Sequence, residues 1–212
     1  PFSVSKKDCL NRIKESGIVG MGGASFPTHV KLNPPEEKII DYVLINAAEC
    51  EPYLTCDERT LLETPQKVID GLAIVMHIIN KRKSPDANNS EEKARGLIVL
   101  EDNKAYLLPL LQKEIAKEGY EAFMSGCLVK TKYPQGSEKF IVSSCLGVEI
   151  PSAKLPADAG CIVMNCTSLA VLYNYITTGM PLVEKCITVD GSSVAQPQNV
   201  IAPVGTPIKY LF

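Results

Sequence analysis

Apolar positions along the chain recur with two spacings, and the places where the spacing changes mark the elements. Ser5 and Asp8 form a capping-box arrangement ahead of Leu10 and Ile13, and Gly17 stands where a helix stop is expected, so residues 6–16 are predicted as a short helix. "KIIDYVLINA" (38–47) is a β-branched run and is predicted as a strand. Thr64-Pro65, an N-cap followed by proline at the first helical position, opens a helix that the apolar spacing carries to about residue 81. After the polar surface connection 81–96, "LIVL" (97–100) reads as a buried strand and "KAYLLPLLQKEIAKEG" (104–119) as a helix whose Pro109 implies a late start or a kink. "GCLVKTK" (126–132) is the next strand, and "YPQGSEKFIVSSCLG" (133–147) a turn followed by a short helix. "AGCIVMN" (159–165) and "TSLAVLYNYITTG" (167–179) make the last strand and helix, stopped by Gly179.

Repeated strand-helix units predict an α/β fold with a parallel sheet covered on both faces, and such sheets bind ligands beyond the carboxyl ends of their strands. Three segments fall there: Asn46 to Glu51, Tyr133 to Glu138, and Asn165 to Ser168. From "VEKCITVDG" (183–191) onward the pattern changes to strands separated by Gly and Pro turns, so residues 1–182 and 183–212 are predicted as separate units, the second one cut short.

Composition narrows the function. The 212 residues are 45% hydrophobic and 22% charged with a net charge of −2, which excludes a disordered tail and a polybasic nucleic-acid binder. The richest apolar stretch, "VIDGLAIVMHII" (68–79), carries Asp70 and His77 and suits a buried helix, so no direct membrane insertion is expected. The start lacks both Met and an apolar signal region, which leads us to expect an intracellular chain excised from a longer one. None of the eight cysteines has CxxC spacing; reduced thiols acting as small core hydrophobes are expected, with no metal. His29 and His77 are given no role, His77 reading as a core residue.

"GIVGMGGASFPTHVK" (17–31) places glycines at 17, 20, 22 and 23 ahead of a lysine. A dinucleotide fingerprint must leave a strand and open a helix, whereas this loop follows a helix and runs into "FPT", a poor helix start. Its alternatives are a tight turn and a loop whose backbone N–H groups approach a ligand closely.

"GIVGMGGASFPTHVKL", "INAAECEPYLTCDER", "YPQGSEK" and "PLVEKCITVDGSSVAQPQNVIAPVGTP" closely resemble the RnfC family of electron-transport complex subunits, and more distantly the NADH-oxidising flavin subunit of respiratory complex I. The resemblance covers nearly the whole chain. It implies a Rossmann-like FMN and NADH domain followed by the beginning of a β-grasp (SLBB) domain, with the 4Fe-4S cluster motifs of RnfC chains lying in segments absent here. It assigns FMN to Gly20, Gly22, Gly23, Lys31, Asn46, Glu49, Tyr133, Gly136, Ser137, Glu138, Asn165 and Ser168, and the incoming NADH to Phe26, Glu51 and Glu138. No side chain acts covalently, because the hydride goes to the flavin. Relatives of complex I type carry a carboxylate at the position of Ser137, an acid at Ala48, a second asparagine at Met164 and a glycine at Ser25.

The implied function is an NADH-dependent oxidoreductase that passes electrons singly to iron-sulfur centres outside this fragment. Its implied partners are other subunits of an electron-transport complex, and its implied place is the cytoplasm, peripheral to the inner face of the membrane through those subunits. Two alternatives stay open: an electron donor to a soluble reductase of proline or cobalamin reductase type, and a docking scaffold without flavin. Without the resemblance, "ECEP" reads as a solvated acidic loop, Asn46 as a turn former and Tyr133 as a core ring with its hydroxyl at the surface.

Overall fold

The computed structural model describes residues 4–21, 24–79 and 94–211. Helix α1 (Lys6–Glu15) begins where Ser5 Oγ accepts from the Asp8 backbone N–H at 3.1 Å and donates to Asp8 Oδ2 at 2.6 Å. Its exit turns through Gly17 at φ 67°. A single helical turn, α2 (Thr28–Lys31), follows with Pro27 at its N-cap, so "FPT" does open a helix, of four residues only.

Strand β1 (Tyr42–Ala47) starts later than the apolar run, because Lys38 pairs with Asp158 and the Asp41 N–H donates to Gly160 O at 2.7 Å. Helix α3 (Cys56–Glu63), which the acidic pattern of the segment conceals, leads into α4 (Pro65–Ile79). The predicted last turn of α4 and most of the polar connection lie outside the described residues. After β2 (Arg95–Glu101), residues Asp102–Leu107 form a 3-10 turn, and α5 (Leu108–Lys117) begins with Pro109 in its first turn, the late start expected of that proline. Strand β3 (Met124–Val129) ends before the predicted 132, since Thr131 turns away to Asp102 Oδ1, donating from N–H at 3.0 Å and from Oγ1 at 2.6 Å. Then come α6 (Glu138–Leu146), β4 (Cys161–Asn165) and α7 (Cys166–Thr178), closed by Gly179 at φ 78°.

The four strands form one parallel sheet in the order β3-β2-β1-β4. The chain steps outward from β1 to β3 and then returns to the far side of β1, which opens a crevice at the carboxyl ends of β1 and β4. Alternate strand residues supply two cores. Val43, Ile45, Ile98, Leu100, Ile162 and Met164 pack with α1, α4, α5 and α7, while Leu44, Val99 and Val163 meet Ile141 and Val142 of α6 on the other face. Helices α4 and α7 approach most closely at Gly71, where a Cβ would lie 2.5 Å from the carbonyl oxygen of Leu169. Strands β5 (Glu184–Val189) and β6 (Gln198–Pro203) form a separate antiparallel pair. Among the described residues, no helix is long and apolar enough to cross a membrane.

Candidate functional site

At the carboxyl ends of β1 and β4, Asn46 and Asn165 stand side by side as register partners. A cleft of about 550 Å³ opens above them. Its lining includes Gly20, Phe26, Lys31, Asn46, Glu49, Glu51, Gly136, Glu138, Asn165 and Ser168, ten residues singled out in the sequence. Tyr133, 73% exposed, and Ser137, at the N-cap of α6, do not line it, and Gly22 and Gly23 lie outside the described residues.

The glycine-bearing loop is closed at its base. Gly20 N–H donates to Phe26 O at 3.0 Å and Thr28 N–H to Ile18 O at 3.1 Å, so Gly20, Met21, Ala24, Ser25 and Phe26 reach the cleft as one projection. Among the described residues, and its chain neighbours aside, a Cβ on Gly20 would meet nothing nearer than 3.9 Å, so its bare backbone faces the cleft. Ser25 has φ 49°, in the left-handed region that glycine enters without penalty.

Asn46 is fixed by donating from Nδ2 to Gly136 O at 2.8 Å and accepting at Oδ1 from Ala48 N–H at 3.0 Å. One amide hydrogen and one lone pair remain to it. Gly136 is required by this closeness: a Cβ would lie 2.6 Å from Ala48 O. Lys31 Nζ donates to Glu138 Oε1 at 2.6 Å and to Val163 O at 2.9 Å, which suspends its charge over the end of β4.

Glu49, on the cleft lining, is also bonded to the elements beneath it. Its Oε1 accepts from Asp57 N–H at 2.7 Å, its Oε2 from Glu58 N–H at 3.1 Å, and Lys104 Nζ pairs with Oε2. Both oxygens thus hold the N-terminus of α3, Oε2 holds a buried lysine as well, and Oε1 keeps one acceptor site. Asn165 is similarly engaged, capping α7 through Oδ1 to the N–H groups of Thr167 (3.0 Å) and Ser168 (3.3 Å), and donating from Nδ2 to Asp57 Oδ2 at 2.7 Å. Thr167 Oγ1 donates to Asp57 Oδ1 at 2.7 Å.

Asp57, on the cleft lining, and Lys104, beneath it, are members of this buried polar cluster that the sequence does not announce. Asp57 lies in the concealed helix α3, and "EDNKAY" carries no local sign that Lys104 is buried against acids elsewhere in the chain. Burial raises the Asp57 carboxyl, helped by the charge of Glu49 and opposed by its hydrogen bonds to Thr167, Cys166 and Asn165. Burial works against the charge of Lys104, but its bonds to and attraction for Glu49 and Glu58 together hold it above the usual lysine value.

Glu49, Cys56 and Asp57 bring their ligand atoms within 4.8 Å of one another. The carboxylates are already bonded to N–H groups, hydroxyl and lysine, and burial with the nearby acids pushes the Cys56 thiol up to about 12. This is a hydrogen-bonded cluster rather than a metal-ready one. All eight cysteines are free; Cys9, Cys161 and Cys166 are buried, and the other five are half-buried.

Lys31 and Lys185 with the hydroxyls of Thr28, Ser168 and Thr188 suit a phosphate, the free valences of Asn46 suit a polar ring, and the volume falls within the range of about 300–1,000 Å³ usual for cofactor sites. The residues present therefore fit a phosphorylated flavin. Fold and cleft together define a Rossmann-like α/β domain with a cleft at its topological switch point.

A model of the Nuo51 FMN-binding domain family matches residues 13–174, and the chain belongs to that family. It is 40% identical over 206 residues to an RnfC-type component of the proton-translocating ferredoxin:NAD(+) oxidoreductase complex of Clostridium ljungdahlii, covering 97% of this chain and 42% of that one. The counterpart in the Na(+)-translocating complex of Acetobacterium woodii is 39% identical, with 96% and 42% covered. That of the ion-translocating oxidoreductase complex of Citrobacter koseri is 33% identical, with 98% and 27% covered. These relatives bear out the RnfC resemblance, and the chain spans less than half of their length. Among solved structures, an NAD+-reducing [NiFe]-hydrogenase in the air-oxidised state superposes with a TM-score of 0.80 at 21% identity, covering 100% of this chain and 39% of that one, which shows the shared fold.

Proposed function

We propose that this chain is the flavin domain of an NADH-oxidising electron-transfer subunit, holding FMN in the switch-point cleft and admitting NADH beside it. One observation carries the reading: the glycine-bearing loop, the Lys31 ammonium and the paired Asn46 and Asn165 converge on one cleft in a chain of the FMN-binding family. When bound, FMN supplies the hydride acceptor and the one-electron donor that no side chain here provides.

This chain's residues bind and orient. Gly20 leaves room for close backbone approach, Lys31 and Ser168 favour a phosphate, and the remaining valences of Asn46 meet the flavin. Phe26 and Glu51 face the same space and orient the nicotinamide by stacking and by hydrogen bonding. Glu49 and Asn165 serve the site indirectly, by fastening α3 and α7 beneath it. Gly22 and Gly23 keep the role the resemblance implies, whereas Tyr133 and Ser137, off the cleft lining, support the loop that carries Gly136 and Glu138. Residues 183–212 begin the β-grasp unit, and the iron-sulfur acceptors and other complex subunits meet parts of the protein outside this fragment.

An absorption spectrum decides between this reading and the flavin-free scaffold. The chain mixed with FMN and desalted should stay yellow and bleach on anaerobic addition of NADH. A colourless protein after desalting, with FMN fluorescence unquenched in titration, would reject it.

A further inference from the structure

Cys127 and Cys145 lie outside the cleft, and nothing in the proposed reaction uses them. Cys127 belongs to the edge strand β3 and Cys145 to α6, yet their sulfurs share a hydrogen bond at 3.8 Å. Both thiols are free and half-buried, packed against the smaller core beneath α6.

We propose that Cys127 and Cys145 form a peroxide-reactive dithiol, with Cys127 the attacking sulfur and Cys145 the resolving one, which closes to a reversible disulfide between β3 and α6. The sulfurs must approach by about 1.8 Å to reach bonding distance, a displacement within reach of χ1 rotation. The shared bond also separates the two thiols chemically. The 3.8 Å contact runs from the Cys127 S–H to Cys145 Sγ, and once Cys127 loses its proton the Cys145 S–H can turn to stabilise its thiolate, which draws Cys127 below the usual thiol value and raises Cys145. The other six cysteines are all held above the usual thiol value by burial. Among the eight thiols Cys127 is the one drawn downward, toward the thiolate form that attacks peroxide.

The chemistry balances with one hydrogen peroxide. The Cys127 thiolate attacks one peroxide oxygen, the O–O bond breaks, and hydroxide leaves to be protonated to water; the sulfur, oxidised by two electrons, becomes a sulfenic acid. Cys145 sulfur then attacks Cys127 sulfur. The S–O bond breaks, the hydroxyl departs as water with the Cys145 proton, and the S–S bond forms. Two thiols and one peroxide give one disulfide and two waters. The closed loop, residues 127–145, carries Gly136 and Glu138 of the cleft lining.

The test uses the full chain, reduced, freed of reductant and exposed to hydrogen peroxide at pH 7 before alkylation and peptide mapping. Two of the eight thiols should disappear first, in a peptide pair linked Cys127 to Cys145 that dithiothreitol separates. In Cys145→Ser, dimedone should trap a sulfenic acid at Cys127; in Cys127→Ser the rapid loss of thiol should vanish. In the unaltered chain Cys127 should be alkylated at lower pH than the other seven thiols, a readout that needs no variant. First oxidation at any other cysteine, or both thiols still alkylatable after the rest have reacted, would overturn the assignment. None of these readouts requires FMN, so they stand or fall apart from the proposed function.

Discussion

Lys31 enters the cleft already committed to two oxygens, Glu138 Oε1 at 2.6 Å and Val163 O at 2.9 Å, and therefore holds one position instead of sweeping the volume its length allows. A lysine so placed meets a phosphate with little further ordering. Lys31→Met should weaken FMN binding by about 10- to 150-fold, the worth of one charge-assisted hydrogen bond of about 1.5–3 kcal/mol, as read by fluorescence quenching. An unchanged affinity would move the phosphate elsewhere. Glu51, exposed at the cleft edge, makes the complementary case. Glu51→Gln should leave FMN affinity intact and slow flavin reduction by NADH about 5- to 150-fold, a loss of roughly 1–3 kcal/mol in the transition state. Stopped-flow rates identical to the parent would make Glu51 a solvated loop acid, and loss of FMN would assign it to the wrong ligand. At this scale the sequence is most legible where a motif follows a strand. Asn46, Gly136 and Asn165 converge because the parallel sheet aligns its strand ends. The role of Glu49 is not legible, because its partners, the α3 N–H groups and Lys104, come from a helix and a turn that the local pattern does not announce.

Among the elements, the strands and the long helices are readable from their periods, whereas α3 is not, for a physical reason. Its N-terminus is satisfied not by Thr55, which makes no side-chain cap bond, but by Glu49 from before the turn, so no local capping signature exists to be read. The same cap depends on Lys104, which neutralises Glu49 and Glu58 together. Lys104→Met should therefore cost about 3–5 kcal/mol in urea unfolding, since it strands buried charge. The pH dependence follows from the raised lysine. The contribution is fully present below the ordinary lysine value of 10.5 and is lost as pH rises through the higher folded value, so parent and variant should converge in strongly alkaline solution. A constant difference up to that range would show that packing of the stem, not charge, is what the variant loses. Gly71 sets a second rule at this scale. Alanine gains about 0.5–1 kcal/mol of helix preference, but its Cβ would stand 2.5 Å from a backbone oxygen that cannot swing away. Overpacking should win, and Gly71→Ala should be net destabilising by about 1–3 kcal/mol in the same assay; a stabilised protein would mean that α4 and α7 slide apart without cost.

In the molecule as a whole, the β5-β6 pair is outside the parallel sheet but not outside the site. Lys185, Cys186, Ile187 and Thr188 form one wall of the cleft. A small polar knot holds that wall: Thr55 N–H donates to Thr188 Oγ1 at 3.1 Å, Thr188 Oγ1 donates to Asn199 Oδ1 at 2.7 Å, and Asn199 Nδ2 donates to Thr55 Oγ1 at 3.0 Å. The change of pattern after residue 182 shows in the sequence, but the return of this segment onto the cleft does not, because hydroxyls and amides paired across 133 or 144 residues leave no periodic trace. The core of the larger unit barely involves the pair, its buried apolar residues falling almost entirely before Val189 and within the helices and parallel strands. Removing residues 183–212 should therefore spare cooperative thermal unfolding while stripping the wall and its lysine from the cleft. We expect FMN affinity to fall by at least about tenfold, the loss of one charge-assisted contact of about 1.4 kcal/mol or more, with a melting transition that stays single and sharp. Circular dichroism melting and flavin quenching on the same truncated sample separate the two properties. Parental affinity in a folded truncation would confine the site to the parallel-sheet unit, and loss of the cooperative transition would show that the hairpin belongs to the fold itself rather than to its binding surface.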